Sequence, residues 1–342
     1  MSTPNFTDLR SDTVTRPTPG MLQAMQSASV GDDVFEDDPS VKLLEEKIAT
    51  MFGMESALFC ASGTMTNQIA IKVHTKPGDE VICDKMAHIY AFEGGGIAFN
   101  SGASVRLLDG DRGRIKAEQV LENINPDNVH YPRTRMLGIE NTMNKGGGAC
   151  YDFKDILSIK EVCRTHGLAY HLDGARIFNA LVETKETPKD YGKAFDSISV
   201  CLSKGLGAPV GSLLLGSKDF IYQARRIRKV LGGGWRQAGY LAAAGIYALD
   251  HHIVRLKEDH LKAKAIYEAL KSVSYVEDCM PQETNIIIFK LNARIKVQDF
   301  LNKLETNHIK ASATGINAIR FVTHLDITDQ MMEHLLDVLK KI

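Results

Sequence analysis

Two charged side chains follow apolar runs in this sequence, each where a buried strand is predicted to end. Asp173 follows residues 168–172, and Lys204 follows residues 198–202. The carboxyl ends of parallel strands meet at one edge of a sheet, where open α/β sheets bind their ligands. A lysine desolvated there can lose its proton and attack a carbonyl group, and a buried carboxylate there needs a cationic partner. The pattern predicts a reactive amine and an acid beside one ligand.

Two further features fit the same ligand. The turn Ser62-Gly63-Thr64 follows an apolar run and opens a helix predicted over residues 65–73. Free backbone N–H groups at such a helix start suit a phosphate. His88 comes just after the apolar residues 81–83, where its ring could stack on a flat cofactor.

Each feature alone has a simpler interpretation. The serine turn is typical of a helix cap, the strand-end acid of an N-cap, the lysine of a surface side chain, and the histidine of a hydrogen-bonded structural residue. Their order favours a common role, because pyridoxal 5′-phosphate (PLP) needs a phosphate cradle, a ring clamp, an acid at its pyridine nitrogen and an amine for its carbonyl. The residues therefore predict a PLP site.

The elements that position these residues alternate between strand-like and helix-like segments. Near-continuous apolar runs fit strands covered on both faces, and the alternation predicts an α/β fold with a mostly parallel central sheet of about seven strands. The predicted strands are residues 57–60, 81–83, 105–108, 136–139, 168–172, 198–202 and 212–215. Helices are expected at 39–52, where Asp38 and Gly53 suit the two caps, and at 155–166.

The pattern changes after about residue 250. A long amphipathic helix is predicted at 253–270 and is followed by a compact second α/β unit. Its expected elements are a strand at 285–291, a helix at 297–307, a strand at 318–323 and a helix at 328–340. We therefore expect a large PLP-binding domain at 1–250, including the N-terminal segment, and a smaller C-terminal domain at 251–342.

Composition excludes several classes of protein. The 342 residues carry a formal net charge of −1, which argues against a nucleic-acid partner. The six cysteines form no C-x-x-C pair, so a structural zinc site is not expected and no metal ligand is assigned. The sequence shows neither a secretory signal nor an apolar stretch long enough to span a membrane, so a cytoplasmic protein is predicted.

Six stretches resemble the low-specificity L-threonine aldolases, within the aspartate-aminotransferase-like PLP fold. They are D-L-R-S-D-T-V-T-R-P at 8–17, V-G-D-D-V-F at 30–35, S-G-T-M-T-N at 62–67, D-G-A-R-I-F-N-A at 173–180, S-K-G-L at 203–206 and L-G-G-G-W-R-Q-A-G at 231–239. The resemblance spans nearly the whole chain. It implies PLP-dependent cleavage of L-threonine, L-allo-threonine and related β-hydroxy-α-amino acids to glycine and an aldehyde.

The resemblance also implies roles for particular residues. Lys204 would bind PLP covalently, Asp173 would pair with its pyridine nitrogen, and His88 would stack on its ring. Gly63 and Thr64 would hold the phosphate. The substrate carboxylate would be bound by Ser11, Arg176 and Arg320, of which Arg176 also lies beside the cofactor. Lys229 and Arg236 would reach the phosphate region of a neighbouring subunit, and Glu93 and His130 would lie near the substrate hydroxyl.

Arg320 has independent support, because an arginine inside the apolar run 318–323 is out of place unless it faces a ligand. An outward-facing side chain on a half-exposed strand is the alternative. Met143 departs from the family, which often has histidine there, so any role of that histidine is in doubt.

Other functions remain open. A β-eliminating lyase or an aminotransferase on the same fold is the nearest alternative, and a non-catalytic PLP-binding protein is a second. A plain nucleotide-binding domain lacks the expected G-x-G-x-x-G after the first strand. The resemblance further implies a homotetramer with active sites at dimer interfaces. The base for the β-hydroxyl is His88, His130 or a bound water.

Overall fold

A seven-stranded sheet forms the centre of the computed structural model, which describes residues 6–342. Its strands in spatial order are β2 (Ser56–Cys60), β8 (Ser212–Gly216), β7 (Ser197–Cys201), β6 (Ala169–Gly174), β5 (Arg133–Glu140), β3 (Asp79–Asp84) and β4 (Ser104–Leu108). Only β8 runs antiparallel to its neighbours, and the other four pairings are parallel. The predicted mostly parallel sheet of about seven strands is confirmed.

Helices and short turns pack around this sheet. They are α1 (Pro19–Gln26), α2 (Pro39–Phe52), α3 (Gly63–His74), α4 (His88–Ala91), α5 (Ala117–Glu122), α6 (Phe153–His166), α7 (Ile177–Leu181), α8 (Pro188–Ala194), α9 (Lys218–Val230) and α10 (Gly239–His251), with a 3-10 turn at Asp12–Val14 and a π-helical turn at Ile97–Ser101. The largest buried apolar cluster lies between α2, α6, α10 and the sheet. In the described residues no helix is long and apolar enough to cross a membrane.

Helix α2 begins and ends where its sequence predicts. The Asp38 carboxylate accepts from Val41 N–H at 3.0 Å, Pro39 occupies the first turn, and Gly53 ends the helix with φ of 64°. Proline has no N–H to leave unpaired in the first turn, and glycine adopts a positive φ without a Cβ clash. These three residues fix both ends of the helix.

The C-terminal part forms a second sheet with its own apolar cluster. Its elements are α11 (Leu256–Lys271), β9 (Val276–Cys279), β10 (Ile286–Leu291), α12 (Val297–Thr306), β11 (Ile309–Lys310), β12 (Ser312–Ala313), β13 (Ala318–Val322) and α13 (Asp329–Lys341). The four-stranded antiparallel order is β12-β13-β10-β9. The division between residues 250 and 251 stays a prediction.

The start of the described chain crosses to this second unit. Strand β1 (Thr7–Asp8) pairs in parallel with β11, and Leu9 lies in the C-terminal apolar cluster. The residues that follow, Ser11 and Asp12, are thereby held between the second sheet and the carboxyl edge of the first. This connection explains how an N-terminal segment contributes to a site built mainly from later strands.

Candidate active site

A cavity of about 310 Å³ opens between the two sheets, and five side chains singled out in the sequence line it. They are Ser11, His88, Arg176, Lys204 and Arg320. Lys204 follows β7, and Arg176 follows β6. Strand register places Asp173 beside Ser199 of β7 and Glu140 of β5, so the acid lies at the same carboxyl edge as the lysine. The predicted convergence of amine and acid is therefore present in the fold.

Asp173 and His88 approach each other closely. Together with Glu93, they offer ligand atoms that all lie within 4.8 Å of one another. The Asn67 amide donates to Asp173 Oδ2 and to Glu93 Oε1, at 2.9 Å in both cases, and His88 Nδ1 lies 2.9 Å from Glu93 Oε1. An amide NH₂ that bridges the two carboxyl groups occupies the position that a cation would need. We assign no metal to this group.

A buried hydrogen-bond chain extends from Asn67 away from the cavity. His171 Nε2 lies 3.1 Å from Asn67 Oδ1, and Ser197 Oγ lies 2.8 Å from both His171 Nδ1 and His74 Nε2. Burial lowers the pKa of His171 to about 3 and that of His74 to about 4, so both rings are neutral. Because Asn67 Oδ1 only accepts, His171 donates to it from Nε2, and Ser197 must donate to His171 Nδ1. The chain thereby fixes the Asn67 NH₂ toward Asp173.

His88, which is predicted to stack on the cofactor ring, has several acidic neighbours. Burial opposes protonation of His88, but the hydrogen bond with Glu93 and the charges of Asp173, Glu93 and Glu140 outweigh it and raise the pKa of the imidazole. Burial and the charge of Asp173 raise the pKa of the Glu140 carboxyl to about 7. Glu140 accepts from the backbone N–H groups of His88 and Asn144, both at 2.9 Å. Its ionised form therefore holds two cavity residues in place.

We expect kcat/KM to increase as the pH is raised through about 7, because Glu140 ionises there. His88 must also lose its proton to act as a base, and its acidic neighbours raise the pKa at which it does so. The apparent pKa belongs to the coupled cluster. In Glu140→Gln the increase should move to lower pH, since removing this negative charge lowers the pKa of His88. The pH profile of kcat/KM measures the shift, with exposed Glu118→Gln as the control. An unchanged profile in Glu140→Gln would contradict the assignment.

The turn at residues 62–64, which is predicted to bind phosphate, is closely packed. Ser62 Oγ accepts from Met65 N–H at 3.2 Å, which leaves the N–H groups of Gly63 and Thr64 without helical acceptors. A Cβ on Gly63 would lie 2.6 Å from Cys201 Sγ, so no larger residue fits there without movement. The α3 start is thus held against β7, next to the strand that leads to Lys204.

Arg176 is held by an acid that sequence reasoning did not single out. Its Nε and Nη2 donate to Asp12 Oδ2 and Oδ1 at 2.8 and 2.7 Å, and both side chains are buried. Although burial opposes ionisation, the charge of Arg176 lowers the pKa of Asp12 to about 2. Both N–H groups of Nη1 and the second N–H of Nη2 remain for a ligand, so the predicted carboxylate contact uses the other edge of the Arg176 guanidinium.

Removing one member of this buried ion pair should destabilise the protein strongly. Asp12→Ala leaves Arg176 uncompensated, and we expect a loss of about 3–5 kcal/mol in the free energy of unfolding. Asp8→Ala breaks the more exposed pair with Arg10 and should cost no more than about 1 kcal/mol. Denaturant titration of the two variants measures the difference. Equal losses in the free energy of unfolding would show that the buried pair stabilises the protein no more than the exposed pair does.

Arg320 faces the cavity from β13. Its Nη1 donates to Asn144 Oδ1 at 2.8 Å and its Nη2 to the Arg10 carbonyl at 3.0 Å. Its buried Nε has no acceptor among the described residues. Because none of the acceptors is charged, a carboxylate ligand would supply the missing negative charge.

The residues that line this cavity do not include the predicted residues His130, Lys229 and Arg236. His130 is exposed in the loop before β5, and its backbone N–H donates to Asn128 Oδ1. Lys229 lines a separate cavity of about 660 Å³ at α9, and Arg236 pairs with Asp32 while its side chain stays 61% exposed. All three residues are exposed at the surface of the chain. Their predicted contacts are therefore not made within one chain.

Met143 does not enter the cavity either. It is fully buried, and its side chain packs against Gly113. A Cβ added to Gly113 would lie 2.5 Å from Met143 Cγ. The backbone at this position pairs with Ala149. A methionine here completes an apolar contact, so its difference from the family leaves the cavity wall unchanged.

Several contributing residues were missed from the sequence. Asp12, Asn67, Glu140, Asn144 and His171 act through partners that are distant along the chain, such as Asn67 and Asp173. Two of them lie in the stretches that resemble the family. Asp12 lies in the stretch at 8–17, and Asn67 ends the stretch at 62–67. Their position within those stretches was the available signal.

The residues present fit PLP. The buried Asp173 carboxylate is fixed as an acceptor, a glycine turn with free N–H groups lies beside it, and Lys204 lines the same cavity as His88. These groups match a pyridinium nitrogen, a phosphate, an aldehyde carbon and a ring face.

Comparison with known proteins gives consistent results. A family model described as Beta-eliminating lyase matches residues 8–294. The chain is 42% identical over 329 residues to the low specificity L-threonine aldolase of Escherichia coli (strain K12), covering 95% of this chain and 96% of that protein. It is 40% identical over 336 residues to low-specificity L-threonine aldolase 1 of Arabidopsis thaliana, covering 96% and 94%.

A solved structure of a Leishmania major threonine aldolase has the same fold. The TM-score is 0.84 at 21% sequence identity, and the match covers 98% of this chain and 99% of that one.

Proposed function

Since this chain belongs to the low-specificity L-threonine aldolases, we propose that the cavity between its two sheets is where it cleaves L-threonine and L-allo-threonine to glycine and acetaldehyde. It is a PLP-dependent carbon–carbon lyase. The single observation that carries the assignment is the convergence of Lys204, Asp173 and His88 at one carboxyl edge. Related β-hydroxy-α-amino acids would be cleaved to glycine and the corresponding aldehyde.

The proposed roles follow from the contacts of each residue. Lys204 Nζ would bind the cofactor carbonyl, Asp173 would pair with the pyridine nitrogen, and the Gly63–Thr64 turn would hold the phosphate. When bound, PLP supplies an electron sink for the negative charge left at the substrate Cα. Asn67 orients the Asp173 carboxylate by donating to Oδ2.

The substrate would be oriented from the opposite wall. Arg320, with Ser11 and the free edge of Arg176, binds the α-carboxylate and so sets which bond at Cα is aligned for cleavage. Nδ1 of His88 faces Glu93, which leaves Nε2 as the nitrogen that can accept a proton from the β-hydroxyl. Glu93 positions that ring.

Product analysis tests the proposal. The purified protein should release glycine and acetaldehyde in equal amounts from L-allo-threonine. Release of ammonia with a 2-oxo acid would instead identify a β-eliminating lyase, and transfer of the amino group would identify an aminotransferase. No turnover in the PLP-loaded protein would support a non-catalytic role.

We further propose a homotetramer in which His130, Lys229 and Arg236 reach the cavity of a second subunit. Exposed Tyr222 and Val230 line the same cavity as Lys229, and exposed apolar area is expected of an interface. Light scattering of the purified protein tests this assembly. The proposed compartment is the cytoplasm, and the proposed domain division remains at 250/251.

A further inference from the structure

Lys145 projects into the substrate cavity from the segment after β5. Its Nζ donates to Thr314 Oγ1 at 2.9 Å and lies 4.8 Å from the centre of the Phe92 ring. It lines the same cavity as Arg320, Ser11 and Lys204. Lys145 lies outside the six stretches that resemble the family.

The charge of Lys145 has no carboxylate partner in the part of the chain that the structure describes. Arg176 is neutralised by Asp12, and His88 faces Glu93. Among residues 6–342, no carboxylate oxygen lies within 4.0 Å of Lys145 Nζ. Burial and the positive charge of Arg320 lower the pKa of the Lys145 amine. The fold thus places two positive charges near each other, which is electrostatically unfavourable.

One α-carboxylate does not balance both cations. Arg320 offers an unpaired buried Nε, and the α-carboxylate suits its planar fork. Lys145 is then left as a second site for negative charge on the same ligand.

Space for a larger substituent is available beyond Lys145. An adjacent cavity of about 390 Å³ shares Phe92, Lys145 and Thr314 with the substrate cavity. Its far wall carries apolar side chains such as Met280 and Ile288. A substituent at Cβ that reaches this wall would pass the Lys145 ammonium.

We propose that this enzyme accepts β-hydroxy-α-amino acids whose Cβ carries a carboxylate, and that Lys145 is the residue that selects them. The inference rests on the proposed function. Arg320 binds the α-carboxylate, and Lys145 binds the second one by a charge-assisted hydrogen bond.

The reaction balances without a further reactant. In 3-hydroxy-L-aspartate the Cα–Cβ bond breaks, and its electron pair stays at Cα, which gains a proton and becomes glycine. The β-hydroxyl loses its proton and becomes the aldehyde oxygen of glyoxylate. No oxidant or reductant is needed.

The test compares two substrates that differ in charge and hardly in shape. The kcat/KM values for 3-hydroxy-L-aspartate and 3-hydroxy-L-asparagine are measured in the native enzyme, Lys145→Met, Lys145→Arg and the surface control Lys154→Met. The native enzyme should favour the carboxylate about 10- to 100-fold, the range expected for one charge-assisted hydrogen bond. The ratio should fall to about 1 in Lys145→Met, stay high in Lys154→Met, and recover in part in Lys145→Arg.

The ratio is insensitive to a general loss of folding, because both substrates are measured on the same preparation. An equal change for both substrates in Lys145→Met would overturn the inference, and so would a native ratio near 1. If L-allo-threonine is cleaved while the ratio fails, only the role of Lys145 is wrong. Glycine from none of the three amino acids would overturn the proposed function as well.

Discussion

Lys204→Ala should lose at least about 10³-fold in kcat for L-allo-threonine cleavage, because no other amine takes its place at the end of β7. The amine follows β7 and lies in the cavity with His88, Arg176 and Arg320, where it can bind the cofactor carbonyl. The variant should also lose the visible absorbance band of the protein-bound cofactor. Turnover assays and an absorbance spectrum measure both effects.

Two further variants separate chemistry from folding. Lys204→Arg keeps the positive charge without a nucleophilic amine and should be equally inactive. Lys42→Ala, an exposed lysine on α2, should behave as the native enzyme. If Lys204→Ala keeps its band and its turnover, Lys204 has no covalent role.

Asp173→Asn should reduce kcat about 10²- to 10³-fold with little loss of stability. The carboxylate is 3% exposed and accepts from Asn67 Nδ2 and the Ala175 N–H. Asparagine can keep one of these hydrogen bonds but carries no negative charge, so the pyridine nitrogen would lose its proton. Steady-state kinetics and a thermal melt of the same preparation measure the two effects.

The matched control is Asp196→Asn. Asp196 also accepts a backbone N–H, from Tyr170 at 2.8 Å, but it is exposed and lies at the other end of β6. We expect near-native turnover in this variant. Near-native turnover in Asp173→Asn as well would remove the acid from the mechanism.

The sheet was predictable because its strands are covered on both faces. Runs such as Ser197–Cys201 are fully buried, so they contain no charged residue and stand out in the sequence. Short or half-exposed strands carry no such signal: β1 and β11 have two residues each, and β9 is only partly buried. The crossing of the N-terminal segment to the second sheet was therefore not foreseen.

The site could be predicted only where a residue type at a strand end has a chemical meaning of its own. Lys204 and Asp173 meet this condition. Asp12 and Asn67 do not, because their value comes from partners 164 and 106 residues away, Arg176 and Asp173. Such pairings are a property of the folded chain.

The exposure of clustered charged residues was predicted least accurately. The basic run at residues 225–229 is typical of a solvated helix face, which predicts exposed side chains for Arg225 and Arg226. Arg226 is exposed as expected, but the guanidinium of Arg225 forms ion pairs with Glu36 and Glu45. Periodicity shows which face of α9 is polar, but it does not show that acids from the loop before α2 and from α2 itself cover part of that face.

Borohydride reduction of the purified, PLP-loaded protein, followed by peptide mass mapping, tests the central claim most directly. Reduction makes the bond between the cofactor and its lysine permanent. The account predicts one pyridoxyl group per chain, on the peptide that contains Lys204. A pyridoxyl group on another lysine, or none at all, would contradict it.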